Sequence, residues 1–304
     1  MEVRYINTNL GGTAETHSVL IFGQNEFFRL GGIRMDKTIA FLGAGKAAEA
    51  IISGIIKSEI VGKNQIYVTN RSDDERLQYI EETYGVNCTK NKESILRKAD
   101  IIFLAMKPYD LEESLSEVKT YFSESQLIIS ILAGVSSEKI SSTIGISIPV
   151  IRVMPNTSAL IGYSATALSK GEYATEEHVD IAKTLFQTIG TTTVVEEEMM
   201  HIITAISGSG PAFVYYLVEA MEKSAVEAGL DKGIAKELLT QTVIGAGNML
   251  KLSGNEAEVL RKNITSPKGT TEAGINILEE NHFQKIVMEC VKGAKERSEE
   301  LGRD

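Results

Sequence analysis

Short apolar segments alternate with helix-like segments over the first half of the chain. Apolar, β-branched runs predict strands at 38–42, 66–69, 101–105, 127–131 and 150–154. Apolar positions with helical spacing predict helices between them at 47–57, 73–84, 92–98, 111–121 and 137–142. Strands that are apolar throughout and alternate with helices are typical of a parallel sheet covered on both faces. The pattern therefore predicts an α/β domain.

The pattern changes in the second half. Two more strands, at 165–168 and 191–195, flank a predicted helix at 176–189. From residue 199 onward only helices are predicted, at 211–228, 232–252, 257–262, 270–280 and 283–301. The helix at 232–252 is apolar on most sides, so we expect it to be buried, either against a second subunit or in the core of one chain. These changes predict an α/β domain at 35–198 and an all-helical domain at 199–304.

Residues 1–34 do not fit either domain, because they lack sustained periodicity and contain two glycine pairs. Met35 directly precedes the first convincing strand, and codons for 30–34 could contain a ribosome-binding sequence. We therefore hypothesise that Met35 is the natural start of the protein. The alternative is a genuine extension that is loosely attached to the fold.

Composition limits the classes of partner and site. The 304 residues carry a formal net charge of −10, which makes nucleic acid or an anionic membrane surface an improbable main partner. Cys88 and Cys290 are isolated and the four histidines are scattered, so we expect no metal site and a reducing, cytoplasmic location. We also expect no secretory signal and no apolar run of about 18 residues that would span a membrane.

The first predicted strand ends in a glycine-containing turn that opens a helix. Gly43, Ala44, Gly45, Lys46 and Ala47 form this junction, with Ala48 at the third small position of a dinucleotide fingerprint. Free N–H groups and the positive end of the helix dipole suit a pyrophosphate. The alternation of strands and helices around the turn favours dinucleotide binding over an ordinary βα turn.

The end of the second strand indicates which dinucleotide binds. Asn70 and Arg71 stand where an NAD site would place a carboxylate for the ribose 2′-hydroxyl. A cation and hydrogen-bond donors suit a 2′-phosphate, so the sequence favours NADPH, with NADH as a weaker cofactor. The alternative is that Arg71 is only a solvated surface cation.

Two further strands end in candidate ligand residues at the same edge of the sheet. Ala105, Met106, Lys107 and Pro108 follow one strand, and Lys107 could contact the cofactor or simply cap the sheet edge. Asn156 follows another strand and could orient the nicotinamide amide or an ordered water.

The helical half contains one polar turn that opens a helix. It runs from Asn263 through Ser266, Gly269 and Thr270 to Thr271, and its hydroxyl and N–H groups could bind a carboxylate. The alternative is an ordinary helix cap. The segment 207–211, Ser-Gly-Ser-Gly-Pro, is also expected to be a turn into a helix, and no strand precedes it as in a nucleophile elbow.

Six segments in order resemble pyrroline-5-carboxylate reductases. They are Phe-Leu-Gly-Ala-Gly at 41–45, Asn-Lys-Glu at 91–93, Leu-Ala-Met-Lys-Pro at 104–108, Arg-Val-Met-Pro-Asn-Thr at 152–157, Ser-Gly-Ser-Gly-Pro-Ala at 207–212 and Ser-Pro-Lys-Gly-Thr-Thr at 266–271. The resemblance implies a Rossmann-type domain followed by a helical dimerisation domain, often in rings of dimers. It also implies that Asn91 contacts the cofactor ribose, that residues 105–108 line the nicotinamide side, and that the turn 263–271 binds substrate.

The implied reaction is reduction of 1-pyrroline-5-carboxylate to L-proline by hydride transfer to C5 of the cyclic imine, the last step of proline biosynthesis. Thr271 would hydrogen-bond the ring nitrogen, while Ser266, Gly269 and Thr270 hold the carboxylate. Two alternatives are a reductase of another imine and a nucleotide-binding regulatory relative without catalysis.

The sequence departs from the family pattern at three sites. Lys268 replaces a glycine, His201 replaces an aspartate, and Lys46-Ala47 replaces Asn-Met. If position 268 requires a positive φ, lysine is strained there. Lys46 could instead extend its ammonium to a phosphate, and Lys268 could contact a carboxylate.

Overall fold

The computed structural model describes residues 34–302, so the expectation for residues 1–34 concerns positions that lie almost wholly outside the described part. The chain forms two compact units. Within the described residues, one unit contains 34–211 together with 290–302, and the other contains 212–289.

The first unit is built on an eight-stranded sheet with the order β3-β2-β1-β4-β5-β6-β7-β8. The strands are β1 Ile39–Leu42, β2 Ile66–Thr69, β3 Asn87–Cys88, β4 Ile101–Leu104, β5 Leu127–Ser130, β6 Val150–Met154, β7 Ser164–Lys170 and β8 Gly190–Val194. β1 to β6 are parallel, β7 runs antiparallel to β6, and β8 is parallel to β7. This arrangement confirms the predicted Rossmann-type sheet, whose order reverses beside β1.

The helices lie close to their predicted positions. They are α1 Lys46–Ser58, α2 Asp74–Tyr84, α3 Lys92–Leu96, α4 Leu111–Ser116, α5 Ser137–Ile144, α6 Glu176–Phe186, α7 Met200–Ile203, α8 Gly210–Glu227, α9 Lys232–Leu252, α10 Ala257–Asn263, α11 Thr270–Glu280 and α12 Phe283–Glu300. One difference is the predicted helix at 111–121, which divides into α4 and a separate 3₁₀ turn at Lys119–Tyr121. The division occurs because the Val118 N–H bonds to the Leu115 carbonyl, three residues back, which tightens the helix end.

The core of the first unit lies on both faces of the sheet, because the strands are buried on both sides. Phe41 of β1 and Phe103 of β4 stack with ring centroids 4.4 Å apart, and Phe186 of α6 lies 6.0 Å from Phe103. These contacts fix β1 and β4 side by side, so that both strands end at the same edge.

The predicted turn at 207–211 is wrong. Residues Thr204–Gly208 form a π-helical turn that leads into α8, and the Ser209 N–H bonds to the Thr204 carbonyl at 2.8 Å. The wider π turn changes the hydrogen-bond register immediately before Pro211, which has no N–H to donate. The helical path therefore continues where glycine and proline suggested a break.

The second unit has almost no core of its own. Across residues 212–289, all of which the structure describes, Ala235 is the single buried residue. Large apolar side chains are instead exposed, including Tyr216 at 77%, Leu238 and Ile244. α9 is therefore not buried in a core of its own unit, and an exposed apolar surface of this kind is typical of an interface.

One helical run is long and apolar enough, by length and composition, to cross a membrane. It is Glu197–Glu227, with 31 residues and a mean hydropathy of 1.2 in its most apolar window. The expectation that no stretch reaches this length is therefore wrong. Core helices of soluble proteins pass the same test, so the run by itself does not indicate a membrane span.

The compact units do not divide at the predicted boundary of residue 199. Residues 199–211 and 290–302 belong with the sheet. In particular, the end of α12 lies so close to the β5–α5 loop that a Cβ at Gly134 would be 2.9 Å from the Ser298 carbonyl oxygen. The division into a Rossmann domain at 35–198 and a helical domain at 199–304 stays a prediction about sequence domains.

Candidate active site

The glycine turn after β1 is fixed by close backbone contacts. Gly43 has a φ of +117°, and a Cβ there would lie 2.3 Å from the Ala105 carbonyl oxygen. The Gly43 N–H also donates to the Thr69 carbonyl, at 2.8 Å. Gly45 is different, since a Cβ there would meet no atom within 4 Å. Glycine at 43 therefore lets the backbone after β1 approach the backbone after β4, while Gly45 leaves the start of α1 open.

The first N–H groups of α1 are available to a ligand. Gly45 is the N-cap residue and its conformation is extended, with no side-chain cap. The first N–H groups of a helix have no partner within it, and the helix dipole adds partial positive charge there. The junction can therefore bind an anionic group through the backbone of 45–47.

A buried ion pair stands beneath this turn. Glu49 is 5% exposed, and its carboxylate accepts hydrogen bonds from Arg76 at 2.5 Å, Tyr84 at 3.0 Å, Tyr79 at 3.2 Å and Lys46 at 3.2 Å. Burial alone would raise the pKa of Glu49, but these donors outweigh it and lower the pKa to about 2. Burial and the same carboxylate raise the pKa of Tyr84 to about 12.

Arg76 connects the ion pair to the turn. Its Nε donates to the Ala44 carbonyl at 2.7 Å while its Nη2 contacts Glu49. The turn is thus held in shape from α2. The sequence alone does not indicate a role for Arg76 or Glu49, because only the packing of α1 against α2 brings them together.

A cleft opens beside the turn, between the ends of β1, β2 and β4; we call it the Arg71 cleft. Its lining includes Gly43, Thr69, Asn70, Arg71, Lys92, Met106, Asp110, Glu113, Ser114 and Glu117. The structure therefore brings together four predicted cofactor residues from three segments: Gly43, Asn70, Arg71 and Met106. This is the edge where open α/β sheets bind ligands.

Polar groups in the cleft fit a dinucleotide. Thr69 is 1% exposed and its Oγ1 has no hydrogen-bond partner within the described residues. An orphaned hydroxyl at the end of β2 is suited to a polar ligand. The Asn70 amide donates to the Asp73 carbonyl at 2.6 Å and its carbonyl accepts from Lys90 at 2.7 Å.

Arg71 is not simply solvated. Its guanidinium makes a bidentate pair with Glu113, at 3.0 and 2.7 Å, and Asp110 lies 3.8 Å away. The guanidinium is paired but exposed, so a cofactor ligand and a solvated surface cation both stay predictions for Arg71. Lys92, another cation of the cleft, is paired with Glu117 at 2.7 Å.

The remaining predicted cofactor residues have local partners. Asn91 is the N-cap of α3 and accepts from the Ser94 N–H at 3.0 Å. Lys107 is exposed before the 3₁₀ turn that Pro108 opens. The Asn156 amide donates to the Ser207 carbonyl at 3.1 Å, which ties the end of β6 to the π turn. Their contacts with a cofactor stay predictions.

In the second unit, the predicted substrate turn connects α10 to α11. The Gly269 N–H bonds to the Ser266 carbonyl at 3.0 Å, and a Cβ at Gly269 would lie 2.6 Å from the Ser266 hydroxyl oxygen. Thr270 and Thr271 open α11, so their N–H groups are free for a ligand. The hydroxyls of Ser266, Thr270 and Thr271 have no hydrogen-bond partner in the described part of the chain.

Lys268 has a φ of +63°, in the left-handed region. Its N–H donates to the Glu272 carboxylate at 2.7 Å, which helps to hold this conformation. The strain expected from the sequence is therefore present.

His201 packs against the returning end of α12. Its Nδ1 lies 3.0 Å from the Ser298 hydroxyl oxygen. Burial and then the nearby Arg152 lower the pKa of His201 below its usual value, so the imidazole is neutral at pH 7. The histidine thus has a structural partner within the first unit.

Comparisons with known proteins agree on one family. The family model described as "Pyrroline-5-carboxylate reductase dimerisation" matches residues 197–301, and "NADP oxidoreductase coenzyme F420-dependent" matches 38–134. Pyrroline-5-carboxylate reductase 2 of Bacillus subtilis is 48% identical over 87% of this chain and 95% of the relative. The reductase structure from Coxiella burnetii has a TM-score of 0.81 and 33% identity, over 88% of this chain and 99% of that one. The Plasmodium falciparum reductase with NADP bound also has a TM-score of 0.81, with 31% identity and the same coverage of both chains.

The first prediction concerns Glu49. Glu49→Gln removes one member of a buried ion pair and should lower the free energy of unfolding by about 3 kcal/mol at pH 7. Because the folded-state pKa is depressed to about 2, the contribution is present above the unfolded-state pKa and is lost as pH falls toward 2. Urea unfolding measured from pH 7 to pH 3 should therefore show a decreasing difference in free energy of unfolding between the wild type and Glu49→Gln. Glu75→Gln, on the exposed surface of α2, is the control and should change stability by less than about 0.5 kcal/mol. A constant difference across this pH range would contradict the prediction.

The second prediction concerns backbone strain at Lys268. Lys268→Gly should raise the free energy of unfolding by about 1 kcal/mol, because glycine adopts a positive φ without steric cost. Lys285→Gly, within α12, should instead lower stability by about 1 kcal/mol. Thermal unfolding of both variants checks the signs, and destabilisation by Lys268→Gly would be inconsistent with strain.

Proposed function

The chain belongs to the pyrroline-5-carboxylate reductase family, and on that premise we propose that it reduces 1-pyrroline-5-carboxylate to L-proline with NADPH. The observation that carries the proposal is the Arg71 cleft beside an open helix N-terminus, on the strand edge that dinucleotides use. The chain is thus an NAD(P)H-dependent oxidoreductase that acts on a C=N bond.

The first unit would bind the cofactor through complementary charge. The N–H groups of 45–47 would hold the pyrophosphate, and Arg76 would keep the turn in shape through the Ala44 carbonyl. Asn70 and Arg71 would bind the adenosine ribose and its 2′-phosphate, which supports NADPH over NADH. Residues 105–108 would line the nicotinamide side. We retain ribose contact by Asn91 and nicotinamide contact by Asn156 as proposals.

Lys46 has a secondary place in this arrangement. Its ammonium is exposed and contacts Glu49 at 3.2 Å, so a phosphate would have to draw it away from that carboxylate. We therefore propose a contact that assists the pyrophosphate and depends on the backbone N–H groups for position.

The substrate turn of the second unit would hold the imine. Gly269 and Thr270 would supply N–H donors to the carboxylate, together with the Ser266 hydroxyl, and the N-terminus of α11 would add favourable charge. Asn263, the last residue of α10, lies at the start of the same turn and would add a polar side chain to the substrate site. Lys268 lies within this turn, where its ammonium would strengthen carboxylate binding.

The reaction requires orientation and control of one proton. Bound reduced nicotinamide supplies the hydride. Thr271, half-buried at the second position of α11, would hydrogen-bond the imine nitrogen and keep it protonated while C5 accepts the hydride. The C=N π bond then becomes the nitrogen lone pair, and the nitrogen keeps its proton as a neutral secondary amine that solvent can protonate further. No strong base is needed, so unshared hydroxyls suffice.

The exposed apolar surface of the helical unit supports a proposal for the subunit arrangement. The dimerisation family model covers 197–301, and exposed apolar side chains cover α8 and α9. The protein is therefore a homo-oligomer, and we propose a dimer through these helices, with a ring of dimers as a higher state. The exposed apolar side chains of α8, which lie within the apolar run 197–227, would then be part of a subunit interface. A cytoplasmic location remains our proposal; the free thiols of Cys88 and Cys290 suit a reducing compartment.

The third prediction tests Thr271. Thr271→Ala should lower kcat by about 10²-fold, because it removes the hydroxyl that accepts the N–H of the protonated imine nitrogen, while KM for NADPH changes by less than about threefold. Steady-state NADPH oxidation with 1-pyrroline-5-carboxylate measures both constants. Thr143→Ala, which removes a hydroxyl of α5 that donates to the Lys139 carbonyl at 2.7 Å, should leave them unchanged. An unaltered kcat would remove Thr271 from the mechanism, and absence of turnover by the wild type despite NADPH binding would favour a regulatory relative.

The fourth prediction tests the interface. Ile244→Glu places a charge on the apolar surface of α9 and should shift the sedimentation equilibrium from an oligomer toward the 33.1 kDa monomer. Tyr173→Glu changes an exposed aromatic residue of the first unit and should leave the assembly intact. Circular dichroism confirms folding of both variants. An unchanged oligomer for Ile244→Glu would place the interface elsewhere.

A further inference from the structure

Carboxylates dominate one side of the Arg71 cleft. Asp110, Glu113 and Glu117 come from α4 and its flanking turns, and all three line the space next to Arg71. A ribose 2′-phosphate carries nearly two negative charges, so this side of the cleft opposes it. The cleft is therefore less favourable to the phosphorylated cofactor than the arginine alone implies.

Glu113 also occupies the groups of Arg71 that would hold a phosphate. Its Oε1 accepts from Nη2 at 2.7 Å and its Oε2 accepts from Nη1 at 3.0 Å. A phosphate prefers the same two-pronged approach to a guanidinium. A 2′-phosphate must therefore displace Glu113 from at least one of these nitrogens.

Neighbouring cations do not replace Arg71. Lys92 is paired with Glu117 at 2.7 Å, and Lys90 is paired with Asp74 at 3.0 Å while donating to Asn70. The Arg71–Glu113 pair is, however, in water, with side-chain exposures of 66% and 57%. Exposed pairs are weak, so the cofactor can exchange with Glu113 at modest cost.

We propose that Glu113 sets the dinucleotide preference of this enzyme by competing with the 2′-phosphate for Arg71. NADH has only a hydroxyl at this position and leaves the Arg71–Glu113 pair intact. Glu113 therefore reduces the difference in binding affinity between NADPH and NADH. The opposite role, in which Glu113 pre-orients Arg71 for the phosphate, predicts the reverse effect of removing its charge. The inference rests on the proposed NADPH site.

Calorimetric titration with NADP⁺ and NAD⁺ tests the proposal without turnover. Glu113→Gln should lower the Kd for NADP⁺ by about fivefold, because it removes competition and one repulsive charge, and should change the Kd for NAD⁺ by less than about twofold. Glu112→Gln is the matched control on the same helix, since Glu112 pairs with Lys139 and does not line the cleft. It should leave both constants unchanged.

A second variant assigns the gain to Arg71. In the Arg71→Ala background, Glu113→Gln should improve NADP⁺ binding much less than it does in the wild type, because little remains for Glu113 to compete over. Weaker or unchanged NADP⁺ binding by Glu113→Gln alone would overturn the proposal, as would an equal gain by Glu112→Gln. A wild type that binds both dinucleotides while Arg71→Ala leaves their ratio unaltered would overturn the NADPH site itself, and the inference with it.

Discussion

The close approach of β1 and β4 at their ends is the constraint on which the proposed cofactor site depends. Gly43 lies so near the Ala105 carbonyl that no side chain fits, and its φ of +117° is one that glycine adopts freely. This contact turns the chain from β1 into α1 at a fixed point. The open N-terminus of α1, the end of β2 and the segment after β4 therefore share one edge.

The ion pair of Glu49 and Arg76 stabilises the glycine turn after β1. Glu49 would be costly as a lone buried charge, but Arg76 neutralises it and uses a second nitrogen to bind the Ala44 carbonyl. The same chemistry recurs in exposed form in the Arg71–Glu113 pair. The buried pair stabilises the shape of the turn, whereas the exposed pair is weak enough to respond to a ligand.

The two compact units differ in how far they bury their apolar side chains. The sheet buries its apolar strands under helices of the same chain, while the unit 212–289 leaves nearly all of its apolar side chains accessible. Such a unit is stable only when another surface covers it. The predicted substrate turn 263–271 belongs to this unit.

The sequence by itself determined the α/β class, the order of the strands and helices apart from β3 and α7, the glycine turn and the family, because periodicity and local backbone preferences act over short stretches. The family resemblance also predicted strain at Lys268 if that position takes a positive φ, and the structure has a φ of +63° there. It did not reveal that Arg71 is paired with Glu113, that Arg76 and Glu49 support the turn, or that 207–211 is helical. Those features were decided by the tertiary structure, since each depends on segments that meet only when helices pack on the sheet or when a π turn changes the hydrogen-bond register.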